Sequence, residues 1–322
     1  IDKPIWTAII IAYYFLATIM PVDKIIGRIY PLFGAVLIFM AVGTISMLMI
    51  KGYELFPIKT MQNLNPQELP MWPLMFITIA CGAISGFHAT QSPMMARCLP
   101  NERQGLPVFY GAMIAEGVIA LIWATLAISF FPTPGLLNDV LGEGGPGLVV
   151  NKVSTTLLGS TGGVLAIIGV VVLPVTSGDT AFRSARLIIA DVFKISQKET
   201  LKRLGIAVPL SVVGVLISFS DFGLIWRYFG WANQTLAVFV LWTAAVYLAD
   251  IHKFHWIATL PAIFMTAVVT TFIANSTIGF NLPMPLATSL GIGAAVAACA
   301  AFFWKIRQIP PASDMGSAER AV

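Results

Sequence analysis

Charged side chains are scarce in this sequence. Only 11% of its 322 residues are Asp, Glu, Lys or Arg, whereas a domain solvated by water carries about 25%. A chain so short of polar surface cannot cover itself against water, which excludes an ordinary soluble domain and makes lipid its solvent. Cysteine and histidine are scarcer still, at three residues each. Cys81, Cys98 and Cys299 form no CxxC pair, so a disulfide framework or a metal centre lacks its ligands. The cysteines read instead as small buried hydrophobes. No GxxxxGK[ST], HExxH or GxSxG occurs, so ATP hydrolysis, zinc proteolysis and serine hydrolysis lack their signatures. The chain is expected to be no enzyme and to hold no cofactor. Gly142–Gly147 matches GxGxxG, but no strand or βαβ unit surrounds it, which leaves the match as chance. No basic-then-apolar leader opens the chain and its first residue is Ile1. It is therefore expected to be a fragment with its beginning missing.

What is abundant is apolar. The hydrophobic fraction is 57% and the mean hydropathy is +0.85. A membrane-crossing helix needs about 20 such residues, and nine runs qualify: Pro4–Met20, Pro31–Ile50, Trp72–Ala96, Pro107–Phe131, Thr161–Thr180, Leu204–Phe219, Ala232–Ala249, Ile257–Ala274 and Leu286–Trp304. The expected fold is an all-α polytopic bundle of about nine helices. One transmembrane domain covers 1–307, and a disordered cytoplasmic tail covers 308–322. Lys and Arg divide unevenly between alternate loops. Fourteen fall on one side, among them Arg97, Arg183, Lys202 and Lys305, and five on the other: Lys3, Lys51, Lys59, Lys152 and Arg227. The richer side is cytoplasmic by the positive-inside rule. The visible N-terminus is then outside and the C-terminus inside, in the plasma (inner) membrane. The net charge of +4 reads as this bias rather than as nucleic-acid binding. The long outer loop Pro132–Ser160 is expected to fold over the outer mouth. The basic stretch Lys194–Arg203 reads either as a platform for anionic lipid headgroups or as a plain solvated loop.

Ionisable and polar groups inside spans are costly and are functional candidates by default. Glu116 lies mid-span and must face the bundle interior or a water-filled cavity, or be protonated. It reads as a carrier of a coupling proton or cation, or as a structural hydrogen-bonding group. The third span passes through Gly82, Ser85, Gly86, His88, Gln91 and Pro93. This is the composition of a discontinuous helix, whose half-helix ends bind substrates and ions at mid-membrane. His88 either lines that path or is a packing histidine. The fifth span ends PVTSGDTAFRSAR from Pro174 to Arg186. Pro174 frees a carbonyl and Gly178 permits unwinding or close approach. Thr176, Ser177, Asp179 and Thr180 would then offer the oxygen cage that a hard cation such as Na⁺ prefers. Asp179, Arg183 and Arg186 can share a helix face and read as an inner gate or a closing salt bridge. Asn233 and Gln234, beside an interfacial aromatic cluster, can face the vestibule.

Three stretches carry a family resemblance: GAISGFHA at 82–89, PVTSGDTAFRSARLIIAD at 174–191 and WRYFGWANQTLA at 226–237. They closely resemble the carbon starvation protein A family, and the likeness runs from about Trp72 to Ala274. The resemblance implies an inner-membrane secondary transporter for small peptides or pyruvate under starvation, coupled to H⁺ or Na⁺. Its partners would be the lipid bilayer and that solute, with no nucleic acid. It also implies the amino acid–polyamine–organocation architecture, a five-plus-five inverted repeat. The broken third span would be that architecture's sixth helix and the Thr176–Thr180 span its eighth, with three N-terminal helices missing. A passive channel or facilitator, or a membrane sensor or structural subunit, is the alternative on residues alone.

Overall fold

The computed structural model describes residues 3–19, 22–55, 63 and 69–308, and all regular structure among them is helical. The tail expected at 308–322 lies, apart from its first residue, outside the described residues. Each apolar run falls on helix, because a backbone in lipid must satisfy its polar groups within the segment. Among the described residues six helices are long and apolar enough to cross a membrane: Pro31–Ile50, Glu102–Phe130, Thr200–Ser218, Gly223–Asp250, Trp256–Asn275 and Met284–Ile306. The other three apolar runs lie on α1 (Lys3–Ile19), on the successive helices α3 (Met71–Ala80) and α4 (Gly86–Ala96), and on α6 (Pro134–Val192).

The chain forms two compact units. One comprises residues 1–69 and 93–220, the other 70–92 and 221–322. In the first, α2 (Val22–Ile50), α5 (Ala112–Phe130) and α6 enclose a core of Leu48, Leu126, Val140, Val149, Val153 and Leu157. At the far end of α6, α1 and α7 (Thr200–Ser218) pack through aromatic rings. Tyr14 stacks on Phe182 with ring centroids 5.3 Å apart, and a Cβ at Gly214 would lie 2.7 Å from the Phe182 ring. The glycine-rich 132–160 stretch is helix rather than loop. Its bends fall where glycine tolerates the backbone, with φ of +66° at Gly145 and +68° at Gly159, conformations that L side chains avoid. After Gly159 the chain turns back so sharply that a Cβ at Gly162 would run into the Ser154 carbonyl.

In the second unit α9 (Trp256–Asn275) is the central helix, buried along most of its length by α3, α8 (Phe222–Asp250) and α10 (Met284–Ile306). Ile77, Val238, Met265, Val268, Val269 and Phe272 form its apolar core. Indole and phenol groups that would otherwise be stranded in hydrocarbon reach α9 or the turn after it. Trp242 Nε1 donates to Thr266 Oγ1 at 3.0 Å, Trp231 Nε1 to the Val269 carbonyl at 3.2 Å, and Tyr228 to the Ile278 carbonyl at 2.9 Å. Helices α9 and α10 approach closely at Gly291, where a Cβ would sit 2.6 Å from the Ala267 carbonyl and collide with Thr271 Oγ1. This is small-residue packing of the kind that brings helices together in lipid.

Candidate functional site

Each unit carries a buried polar centre. In the second unit the apolar helix α3 stops at Ala80, and Cys81–Ser85 form a turn before α4 begins at Gly86. Such a break orphans donors and acceptors that lipid cannot satisfy. Two adjacent amides on α8 meet them. Asn233 Oδ1 accepts the Phe87 N–H at 2.8 Å, and its Nδ2 lies 3.0 Å from Ser85 Oγ and 3.7 Å from Cys81 Sγ. The amide of Gln234, oriented by its neighbours, donates to the Ile84 carbonyl at 2.8 Å and accepts from the Cys81 N–H at 3.0 Å. Gln234 is fully buried, and Asn233 and Ser85 nearly so. Gly86 is required by the fit: a Cβ there would run into the Asn233 carbonyl and lie 2.7 Å from Leu236 Cβ.

Of the seven residues expected along the substrate path, Ser85, Gly86, Asn233 and Gln234 therefore meet in one clamp. His88 and Gln91 follow on α4, each partly buried. Glu116 is placed elsewhere, exposed on α5 in the first unit. Pro93, expected to mark the break, lies inside α4. Cys81 and Cys98 are exposed rather than buried, and neither forms a disulfide.

The first unit's centre lies on α6. The expected unwinding at Pro174 and Gly178 is absent, since the helix runs unbroken from Gly159 to Val192. The reason lies in packing. Gly178 supplies the space for the Tyr14 ring, with which a Cβ would collide, and one proline deletes only one backbone donor. Without that break, Pro174 frees one carbonyl a turn earlier and the helix opens no further. Thr180 gives its hydroxyl to the Ser177 carbonyl at 3.0 Å, and Ser177 itself is exposed. The Thr176 side chain lies outside the described ones. No group of His, Cys, Asp and Glu suited to a metal occurs among the described residues.

What the unbroken helix does build is a buried charged face. Asp179, Arg183 and Arg186 project from successive turns, with 0%, 2% and 6% of their surface exposed. Arg183 Nη2 lies 3.3 Å from Asp179 Oδ1. Arg186 Nη1 donates to Gln197 Oε1 at 2.7 Å. Gln197 belongs to the basic loop after α6, and its carbonyl accepts from Arg203 Nε on α7. The face can hold, exchange or neutralise charge at one end of the unit. Gln197 escaped sequence reasoning because nothing in a lysine-rich loop marks one amide as the partner of an arginine eleven residues earlier.

The chain matches the family model described as "Carbon starvation protein CstA" over residues 1–135 and 143–274. A Haemophilus influenzae protein described as "Uncharacterized membrane protein" is 49% identical over 158 residues, 44% of this chain and 43% of that protein. The Escherichia coli "Peptide transporter CstA" is 25% identical over 334 residues, 79% of this chain and 47% of the relative. The E. coli "Pyruvate/proton symporter BtsT" is 44% identical over 73 residues, 21% of this chain and 10% of that protein. The chain thus spans about half the length of curated relatives that it matches. No solved structure matches. With its apolar helices, this makes the chain part of a multi-pass membrane protein, and it belongs to the carbon starvation protein CstA family.

Proposed function

We propose that the protein is a secondary active symporter that imports small peptides or pyruvate-like carboxylates, coupled to H⁺ or Na⁺. The observation that carries this reading is the discontinuous helix α3–α4, whose turn is held by Asn233 and Gln234. Irregular backbone at membrane depth is sustained only where protein or a water-lined path surrounds it, and such breaks are where transporters bind solutes and ions. In this reading Ser85, Gly86, His88, Gln91, Asn233 and Gln234 line or shape the substrate path. Asp179 with Arg183 and Arg186 forms an inner gate whose ion pair opens and closes, and Asp179 and Glu116 are the carboxylates available to couple a cation. Thr176, Ser177 and Thr180 serve that coupling only if α6 opens during the cycle. The names of the CstA and BtsT relatives support both solute classes. Nine spans, an outer N-terminus and a five-plus-five repeat belong to the same proposal.

The test is uptake of labelled pyruvate and of a labelled dipeptide into proteoliposomes holding the intact protein. Each is run with an imposed proton gradient, a sodium gradient, or neither. Accumulation above equilibrium with one gradient supports symport and names solute and ion. Equilibration regardless of gradient would replace the symporter with a facilitator or channel, and absence of any uptake would favour a sensor.

A further inference from the structure

The charged face of α6 is unbalanced. Two guanidinium groups, Arg183 and Arg186, are buried beside one carboxylate, Asp179. Asp179 pairs with Arg183, whereas Arg186 meets a neutral amide, Gln197. Removing an ion from water costs several kcal/mol even after relaxation, and a neutral amide offers a hydrogen bond but no counter-charge. Arg183 and Arg203 both bear electrostatically on Arg186 and have its own sign. Gln197 occupies Nη1. On the Nε–Nη2 edge, the side of the fork that receives a carboxylate in parallel, the buried Nε makes no hydrogen bond among the described residues.

Gln197 is itself fixed. Its Nε2 donates to the Ile195 carbonyl at 3.4 Å, and its own carbonyl accepts from Arg203. The plane of the Arg186 guanidinium is thereby set in advance by a loop that crosses the end of α6. Preset geometry of this kind is what makes arginine selective for planar oxyanions.

We infer that the Nε–Nη2 edge of Arg186, whose charge Asp179, paired with Arg183, does not neutralise, binds the carboxylate of a small solute, with Gln197 acting as a positioning residue. This deepens the transport reading and rests on it: it names the carboxylate as the group recognised, at an end of the first unit that charge bias assigns to the cytoplasm. A phospholipid headgroup offers related oxyanion chemistry, but Arg186 is only 6% exposed. A headgroup layer would meet the exposed Lys194, Lys198 and Lys202 first.

The experiment is thermal unfolding of the intact protein in nanodiscs of zwitterionic lipid, titrated with pyruvate, a dipeptide, methyl pyruvate and the C-terminally amidated dipeptide. A ligand that binds only the native state raises the unfolding midpoint in proportion to ln(1 + [L]/Kd). The ligands with a carboxylate should raise the midpoint and the analogues without one should not. Arg186→Gln should abolish the effect. Arg186→Lys, which keeps the charge and loses the fork, should weaken binding about tenfold, and Gln197→Ala should weaken it less. The exposed Arg103 is the control, and Arg103→Gln should bind like the parent. Equal stabilisation by the analogues without a carboxylate, parental binding by Arg186→Lys, or a response confined to nanodiscs of anionic lipid would each overturn the inference. Uptake measured on the same variants separates the two readings. Gradient-driven uptake with an unchanged half-saturation in Arg186→Lys sinks the carboxylate site alone, whereas carboxylate binding without any uptake sinks transport and leaves the site standing.

Discussion

In the unit built on α9, a broken helix leaves backbone groups exposed and two neutral amides absorb them. In the unit built on α6, an unbroken helix buries three charges and leaves one positive charge over. The first arrangement is neutral: among the described residues the amides of Asn233 and Gln234 meet donors and acceptors of the turn. The second is open, because its stability depends on which counter-charge is present. A neutral clamp suits a fixed geometry, whereas an incomplete ion cluster suits an element whose partner changes, so the two centres call for different perturbations.

The largest effect is expected from opening the charged face further. Asp179→Ala strands Arg183 beside Arg186 and should cost about 3–5 kcal/mol, read as a fall in the unfolding midpoint. Replacing the pair together, Asp179→Leu with Arg183→Met, should recover most of that loss, because isosteric apolar groups remove the desolvation cost as well. If the double variant stays as unstable as the single one, the pair is not the unit of stability. Next comes the clamp. Gly86→Ala forces the backbone of α4 off Asn233 and should cost about 1–3 kcal/mol. Asn233→Ala removes the nearer side-chain acceptor of the Phe87 N–H and leaves it Ser85 Oγ at 3.2 Å, a loss of about 1 kcal/mol. It also removes the amide beside Cys81 Sγ, so Cys81 should react faster with a maleimide. Unchanged labelling would mean that the turn holds its shape without Asn233. The smallest change in stability is expected from Glu116→Gln, which keeps the size of the side chain and its capacity to hydrogen-bond. Uphill accumulation should nevertheless be lost if Glu116 carries the coupling ion. Retained accumulation would confine coupling to Asp179.

The composition alone made the helical membrane class legible, because too few charges and long apolar runs have one common solution. The α3–α4 break was legible for a related reason: Gly82, Ser85 and Gly86 interrupt an apolar run with residues that weaken a helix. The same logic misplaced a break at Pro174 and Gly178. A glycine permits unwinding and close approach equally, and the ring of Tyr14, more than 160 residues earlier, decided between them. Pro93 likewise continues a helix that it was expected to interrupt. Asn233 and Gln234 were legible as polar residues near a belt, but the pairing of Asn233 with Ser85, 148 residues away, and of Gln234 with Cys81 and Ile84 is encoded in no local pattern. The glycines of 142–159 read as a loop because their number suggested disorder of direction, whereas the chain uses them as bends between helical pieces.

The glycine contact between α9 and α10 bears on how the protein is made. The two helices are joined by a short connection, Ser276–Pro283, and pack through Gly291 against Ala267 and Thr271. Such a pair can leave the translocon as a preassembled hairpin and offer later-docking segments a ready wall. A bulky residue at position 291 would then act early, during biogenesis. Its signature would be shortened lifetime of the newly made chain rather than an altered turnover of the mature one.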